Sequence, residues 1–218
     1  GAARIRMRSL KVALEERDKT ENYVFAGDSY VLKRKVYTKE IKEKHTVIAP
    51  QMSPVHFKLL EAVFRRYDYN LDVLEEVSGE DVETGLKYVN NDACYPTIIV
   101  VGQLVNAFLT KKYNPENTSV FITQTGGGCR ATNYVAFLRK ALKDAGFPQV
   151  PVVALSVTGI EKNPGFKMSF KMLDHAIKAL VIGDLLQTLL LRVRPYELEK
   201  ESANDLYRYW LDKCRSHF

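Results

Sequence analysis

Beyond residue 45, short apolar runs alternate with stretches in which apolar residues recur every three to four positions. Runs of the first kind are typical of buried strands, and stretches of the second kind are typical of amphipathic helices. The pattern predicts four strands, at 46–49, 70–77, 118–125 and 152–157. Strands that alternate with helices indicate a parallel sheet with helices packed against it. We therefore expect an α/β fold with an open parallel sheet of about four strands and helices on both faces.

The chain divides by composition into two segments. Residues 1–45 are predicted to form a basic leader or linker, with a short helix near 10–17. Residues 46–218 are predicted to form the α/β domain, which ends in two helices at 166–192 and 202–215. The order of elements is that of a three-layer Rossmann-like or flavodoxin-like domain, in which ligands collect beyond the carboxyl ends of the strands.

Charge and hydropathy narrow the function classes. The net charge of +6 comes mostly from residues 1–45, which hold 12 Lys or Arg against 7 Asp or Glu, so the charge does not indicate a nucleic-acid-binding surface. The most apolar stretch, 176–191, is interrupted by Lys178, Asp184 and Gln187 and predicts a buried or interface helix instead of a membrane span. Without a secretory leader or an apolar span, we expect a cytoplasmic protein.

Three cysteines, an odd number without short paired spacing, do not predict a disulfide framework or a zinc finger. Cys94 precedes a predicted helix, and Cys129 follows the run 126–128 of three glycines at the end of a predicted strand. A helix N-terminus favours the thiolate form, which binds metals. Glycines allow the backbone to approach a bulky inorganic ligand. These features suit an iron–sulfur cluster better than a single zinc ion.

Other interpretations of the same residues stay open. A free cysteine is most often a small buried residue. The run 126–128 could form a phosphate-binding turn, although it lacks the spacing of GxGxxG and of the Walker A loop. His56 falls on the apolar stripe of its helix, so we expect a hydrogen-bonded core histidine rather than a catalytic base or a metal ligand. Cys214 is expected on a helix surface or half-buried, and no Ser-His-Asp or paired-carboxylate arrangement is indicated.

Two long segments resemble the 2-hydroxyacyl-CoA dehydratase family: GLKYVNNDACYP at 85–96 and TQTGGGCRATNY at 123–134. They are similar in particular to long bacterial proteins, the CoA-substrate-specific enzyme activases, which join an ATPase activator to dehydratase-like regions. The similarity extends through 48–54, 144–151 and 192–196. Matches of this length are more specific than a short glycine motif.

The resemblance implies that Cys94 and Cys129 are two ligands of a [4Fe–4S] or double-cubane iron–sulfur cluster. In the family, such a cluster takes an electron from an ATP-dependent activator and passes it to an acyl-CoA. The third family cysteine lies in a later domain and Cys214 does not match it, so further dehydratase-like domains are expected partners. The isolated chain is expected to bind little iron and to be inactive. Cluster-pocket candidates are Met52, Ser53, Gly126, Gly127, Gly128 and Arg130.

Two other functions are compatible with the residues. The chain could be a non-catalytic scaffold that docks the activator ATPase through its basic leader and its C-terminal helices. It could also be a nucleotide-binding domain that uses the glycines at 126–128. Iron and sulfide content would favour the cluster function, and thermal stabilisation by ATP would favour the nucleotide-binding function.

Overall fold

The structure, a computed structural model, describes residues 2–18, 34–75, 77–90, 92–127, 129–156 and 163–218. It contains two compact units, Gly1–Lys33 and Arg34–Phe218. The first unit contains helix α1 (Ala2–Asp18), which includes the helix expected near 10–17. In the second unit, residues 34–45 belong to the domain because Tyr37 is a fully buried core residue. The compact domain therefore begins ahead of residue 46, where the sequence pattern places its start.

The second unit is built on one four-stranded sheet. Its strands are β1 (Thr46–Ala49), β2 (Leu71–Val73), β3 (Thr118–Gln124) and β4 (Val152–Ser156). Their order is β2-β1-β3-β4, and every neighbouring pair is parallel. The expected open parallel α/β sheet is confirmed. This order is that of the first four strands of a flavodoxin-like sheet.

Strand β2 is shorter than the strand predicted at 70–77, because its length depends on its partner. It pairs only with β1, and the last bond between the two segments runs from Leu74 N to Ala49 O. Pro50 follows and has no N–H to extend the ladder. Ser78 then caps the next helix. Three residues of the predicted strand therefore form β2, and the segment after them leads to that helix.

In the part of the chain that the structure describes, the helices after the first strand are α3 (Pro54–Arg66), α4 (Gly79–Tyr88), α5 (Tyr95–Leu109), α6 (Tyr134–Asp144), α7 (Phe170–Val193) and α8 (Ser202–His217). A short helix, α2 (Lys39–Lys44), precedes the strand and is capped by Thr38. The N-terminus of α3 matches its sequence signals, with Ser53 at the N-cap and a proline at the first helical position. Gly146 adopts a positive φ of 91° just after α6, as expected for a helix-ending glycine.

The sheet has a separate apolar core on each face, since side chains alternate along every strand. Val47, Ala49 and Phe121 pack with residues of α3, α7 and α8. Ile48, Val120 and Ile122 pack with residues of α5 and α6, and α4 lies against α5. The result is the expected three-layer arrangement, with helices on both faces of the sheet.

Helix α7 is the longest helix of the domain, with 24 residues. It packs against the core through Met172, Ala176, Ala179 and Gly183. Among the described helices, none combines the length and the apolar character that crossing a membrane requires.

Candidate functional site

The strand order has a topological switch point between β1 and β3. These strands are neighbours, and the chain leaves β1 toward β2 on one side and β3 toward β4 on the other. In open parallel sheets, ligands bind at such a switch point, beyond the carboxyl ends of the strands. The loop after β1 reaches the end of β3, where Thr123 Oγ1 lies 4.0 Å from Met52 Sδ. The candidate residues Met52, Ser53, Gly126 and Gly127 therefore lie on loops at this edge.

The loop after β1 is held by amide side chains. Gln51 N donates to Gln103 Oε1 of helix α5 at 3.0 Å, and Ser53 N donates to Gln51 Oε1 at 3.1 Å. Gln103 is buried, so its amide fixes the loop from inside the domain. Met52 is 45% exposed and Ser53 is half-buried, so both side chains can contact a ligand at the edge of the sheet.

Cys94 lies at the N-cap of α5, as its sequence context predicts. Its Sγ atom is 3.0 Å from Thr97 Oγ1 and 3.0 Å from the Tyr134 hydroxyl. Two hydrogen bonds, the stronger effect coming from Thr97 and the weaker from Tyr134, lower the pKa of the Cys94 thiol because they stabilise the charged thiolate. Cys94 is therefore a half-buried thiol whose surroundings favour the form that binds metals.

Tyr134 connects the two candidate cysteines. It begins α6, and α5 and α6 both lead the chain from the carboxyl edge of the sheet into the next strand. Burial raises the pKa of the Tyr134 hydroxyl and the hydrogen bond with Cys94 raises it further, whereas a hydrogen bond with Thr97 lowers it. Tyr134 therefore stays protonated, and its hydroxyl donates a hydrogen bond to a Cys94 thiolate. Tyr134 follows directly after the turn that Cys129 caps, so its hydrogen bond ties Cys94 to the helix that continues from that turn.

Cys129 is exposed and lies at the N-cap of a 3₁₀ turn, Arg130–Asn133. Its Sγ atom accepts a hydrogen bond from Ala131 N at 3.5 Å, a contact that places the sulfur over the start of the turn. This position agrees with the expected helix N-terminus, although the element is a short turn that continues into α6. The exposed sulfur is open to a ligand from outside the domain.

The loop between β3 and Cys129 is folded by Thr132. Thr132 Oγ1 donates to Gly127 O at 3.1 Å and lies 3.0 Å from Thr125 Oγ1. Gly126 has a φ of 70°, a left-handed conformation that a side chain would strain. Open space surrounds the position that a Gly127 Cβ would occupy. Gly128 and the side chain of Arg130 lie outside the described residues, so their predicted contribution is not placed.

The candidate thiols Cys94 and Cys129 each cap the start of a helical element. Within the described ranges, no group of three or more His, Cys, Asp or Glu side chains could hold a metal ion. Cys214 is half-buried on α8 and packs against the core of the opposite face, in agreement with its predicted helix position. Among the described residues, the structure therefore groups no third ligand of these types with Cys94 and Cys129.

The structure also assembles a hydrogen-bonded group that the sequence pattern does not indicate. Ser53 Oγ lies 2.7 Å from His56 Nδ1, and His56 Nε2 lies 3.0 Å from Asp184 Oδ1. His56 is hydrogen-bonded, as expected, but its partners form a Ser-His-Asp chain. The Ser-x-x-His spacing at a helix start was the available signal, since those two residues meet on the first helical turn.

No family model, curated protein or solved structure matches this chain. The resemblance of segments 85–96 and 123–134 to the 2-hydroxyacyl-CoA dehydratase family therefore stays a prediction from the motifs themselves.

Proposed function

We propose that this chain supplies Cys94 and Cys129 as two thiolate ligands of an iron–sulfur cluster in a 2-hydroxyacyl-CoA dehydratase-like protein. The observation that supports the proposal most is the hydrogen bond between the Cys94 sulfur and Tyr134, the residue that begins α6 directly after the turn capped by Cys129. Soft thiolate sulfur is the ligand that iron–sulfur clusters use. The residues present fit one side of such a cluster.

Each neighbouring group has a distinct part in the proposal. Tyr134 and Thr97 hold the Cys94 sulfur by hydrogen bonds, and bonds of this kind tune the reduction potential of a bound cluster. Open space surrounds the Cβ position of Gly127, on the loop that precedes Cys129. When bound, the cluster would pass single low-potential electrons from an ATP-dependent activator to an acyl-CoA. Met52, Ser53, Gly128 and Arg130 are proposed to line the pocket.

Further dehydratase-like domains are proposed to supply the ligands that complete the set. Clusters of this type commonly take four thiolates, and this chain offers two at the site. An exposed Cys129 is suited to an interface at which another domain brings its own cysteine. The assembly is proposed to work in the cytoplasm, where thiols stay reduced.

The outer faces of α7 and α8 favour a second candidate function. Val181 on α7 is 62% exposed and Trp210 on α8 is 50% exposed, within a larger set of exposed apolar side chains. Apolar patches of this kind mark interaction surfaces. In this function the chain docks the activator ATPase and takes no part in catalysis. Val181→Asp would then weaken the complex with purified activator in analytical ultracentrifugation, whereas the proposed cluster would be unaffected.

Anaerobic reconstitution with iron and sulfide tests the cluster proposal. The complete protein is expected to gain acid-labile sulfide, broad visible absorption and, after reduction, an electron paramagnetic resonance signal. The 218-residue chain alone is expected to take up little iron, because it supplies two ligands. A complete protein without labile sulfide after reconstitution would contradict the proposal. Thermal stabilisation by ATP would then support the nucleotide-binding alternative at 126–128.

A further inference from the structure

A chain of three polar side chains joins the start of α3 to the middle of α7. Ser53 Oγ, His56 Nδ1 and Nε2, and Asp184 Oδ1 follow one another at 2.7 Å and 3.0 Å. Ser53 lies four residues beyond the last residue of β1, on the loop at the switch point between β1 and β3. This hydrogen-bonded series of side chains therefore ends in the Ser53 hydroxyl. The hydroxyl lies at the edge of the sheet where ligands bind in open parallel folds.

The direction of the protons follows from the acceptors. The Asp184 carboxylate can only accept, so the imidazole proton lies on Nε2. Nδ1 then carries a lone pair and accepts the hydroxyl proton of Ser53. This arrangement resembles a catalytic triad, except that Nδ1 faces the serine and Nε2 faces the carboxylate.

Ser53 differs from the other serines that cap helices in this domain. Ser78 Oγ accepts a hydrogen bond from Asp81 N, and Ser169 Oγ accepts one from Met172 N. Ser53 is at the N-cap of α3 but makes no side-chain capping bond. Its hydroxyl is directed to His56 instead.

The imidazole is held firmly in place. The His56 side chain is 14% exposed, whereas the Asp184 side chain is 79% exposed. Helix α7 reaches the ring at Gly183, where an added Cβ would lie 2.6 Å from His56 Cδ2. Close packing therefore fixes the ring, while the carboxylate at its far side stays in contact with water.

We propose that Ser53 is a nucleophile for ester or thioester carbonyl groups, with His56 as its general base and Asp184 as a positioning residue. Ser53 Oγ bonds to the carbonyl carbon and its proton passes to His56 Nδ1. The carbon–oxygen or carbon–sulfur bond of the substrate breaks, and the leaving group takes the proton from His56. Water, activated by His56 as the general base, then attacks the acyl-Ser53 ester. The carboxylic acid leaves, and His56 returns the proton to Ser53 Oγ.

The start of α3 offers backbone support for this chemistry. The N–H groups of the first helical turn have no partner within the helix and carry a partial positive charge. They lie next to Ser53, where negative charge develops on the carbonyl oxygen. Pro54 contributes no N–H, so Val55 and His56 are the donors of this turn.

A fluorophosphonate probe tests the proposal on the iron-free 218-residue chain. In the reaction, Ser53 Oγ bonds to phosphorus and fluoride leaves. Intact mass and peptide mapping should place one adduct on Ser53 and none on Ser169, and Ser53→Ala should abolish it. His56→Gln should slow labelling by about 100-fold or more, the contribution of a general base. Acetyl transfer from p-nitrophenyl acetate to Ser53 should follow the same pattern.

Variants at Asp184 separate catalysis from folding, because its exposed side chain tolerates substitution. Asp184→Asn should slow labelling with unchanged circular dichroism, and Asp184→Glu should restore part of the rate. Absence of an adduct on Ser53 in the folded wild-type chain would overturn the proposal, as would labelling that is unaffected by Asp184→Asn and His56→Gln. Neither result bears on Cys94 and Cys129, so the cluster proposal is tested separately.

Discussion

The Tyr134 hydroxyl lies 3.0 Å from the Cys94 sulfur and joins the start of α6 to the start of α5. The two residues are 40 positions apart in the chain, so the bond depends on the parallel sheet that places both helix starts at one edge. This hydrogen bond lowers the pKa of Cys94 and raises the pKa of Tyr134, so the protonation states of the two residues depend on each other. Tyr134 also follows directly after the turn that Cys129 caps.

Removal of these hydrogen bonds should make Cys94 less reactive. Thr97→Val and Tyr134→Phe each delete a donor that stabilises the thiolate, so the pKa of Cys94 should rise and the thiolate fraction at neutral pH should fall. Alkylation of Cys94 by iodoacetamide, followed by peptide mass spectrometry, should be about two- to tenfold slower in each variant.

Tyr113→Phe is the matched control, because the Tyr113 hydroxyl donates to Asp72. Its loss should leave alkylation of Cys94 unchanged. Equal rates in wild type and Tyr134→Phe would show that the Cys94 sulfur does not depend on this hydroxyl.

Most of the sheet follows from local sequence patterns. The apolar residues at 46–49 form β1, and the strand ends before Pro50, which has no N–H to extend it. Helix α3 begins at the predicted place, with Ser53 as its N-cap and Pro54 as its first residue. The end of β2 could not be predicted, since it is set by the length of β1 and not by the apolar run itself. Local patterns determine which element forms, and the partner determines how far it extends.

The candidate site could be predicted only in part. The positions of Cys94 and Cys129 at the start of helical elements follow from neighbouring residues. The bond between His56 and Asp184 spans 128 positions and depends on the packing of α7 against α3. No periodicity in either helix indicates that contact, so the Ser-His-Asp chain becomes visible only in the folded domain.

The buried Asp81 should be important for stability. Its Oδ2 atom accepts from Ser78 N at 2.8 Å, and its Oδ1 atom accepts from Asn106 at 2.8 Å, so it caps α4 and ties it to α5. Asp81→Ala would leave both donors without their partner and should lower the free energy of unfolding by about 2–3 kcal/mol. Urea denaturation measures the change. Ser202→Ala, at an exposed position in α8, should change it by less than about 0.5 kcal/mol.

Gly183 should be intolerant of a side chain. In a helix interior, Gly→Ala normally stabilises by about 1 kcal/mol. At Gly183 the new methyl group would lie 2.6 Å from the His56 ring, so Gly183→Ala should instead destabilise the domain by about 1–3 kcal/mol. Thermal and urea unfolding measure the sign.

Gly79→Ala provides the comparison, because a Cβ there has no atom within 4 Å. It should be neutral or stabilising. If Gly183→Ala behaved like Gly79→Ala, α7 would not pack against His56 as closely as the structure indicates.

The most direct test of the cluster assignment is the iron and acid-labile sulfide content of cysteine variants of the complete protein, purified and reconstituted without oxygen. Cys94→Ser and Cys129→Ser should each lose most of the iron, because a hydroxyl is a poor replacement for a soft thiolate. Cys214→Ser should keep the wild-type content, since Cys214 packs against the core of the opposite face. Retention of iron by both single variants, with loss in Cys214→Ser, would contradict the assignment.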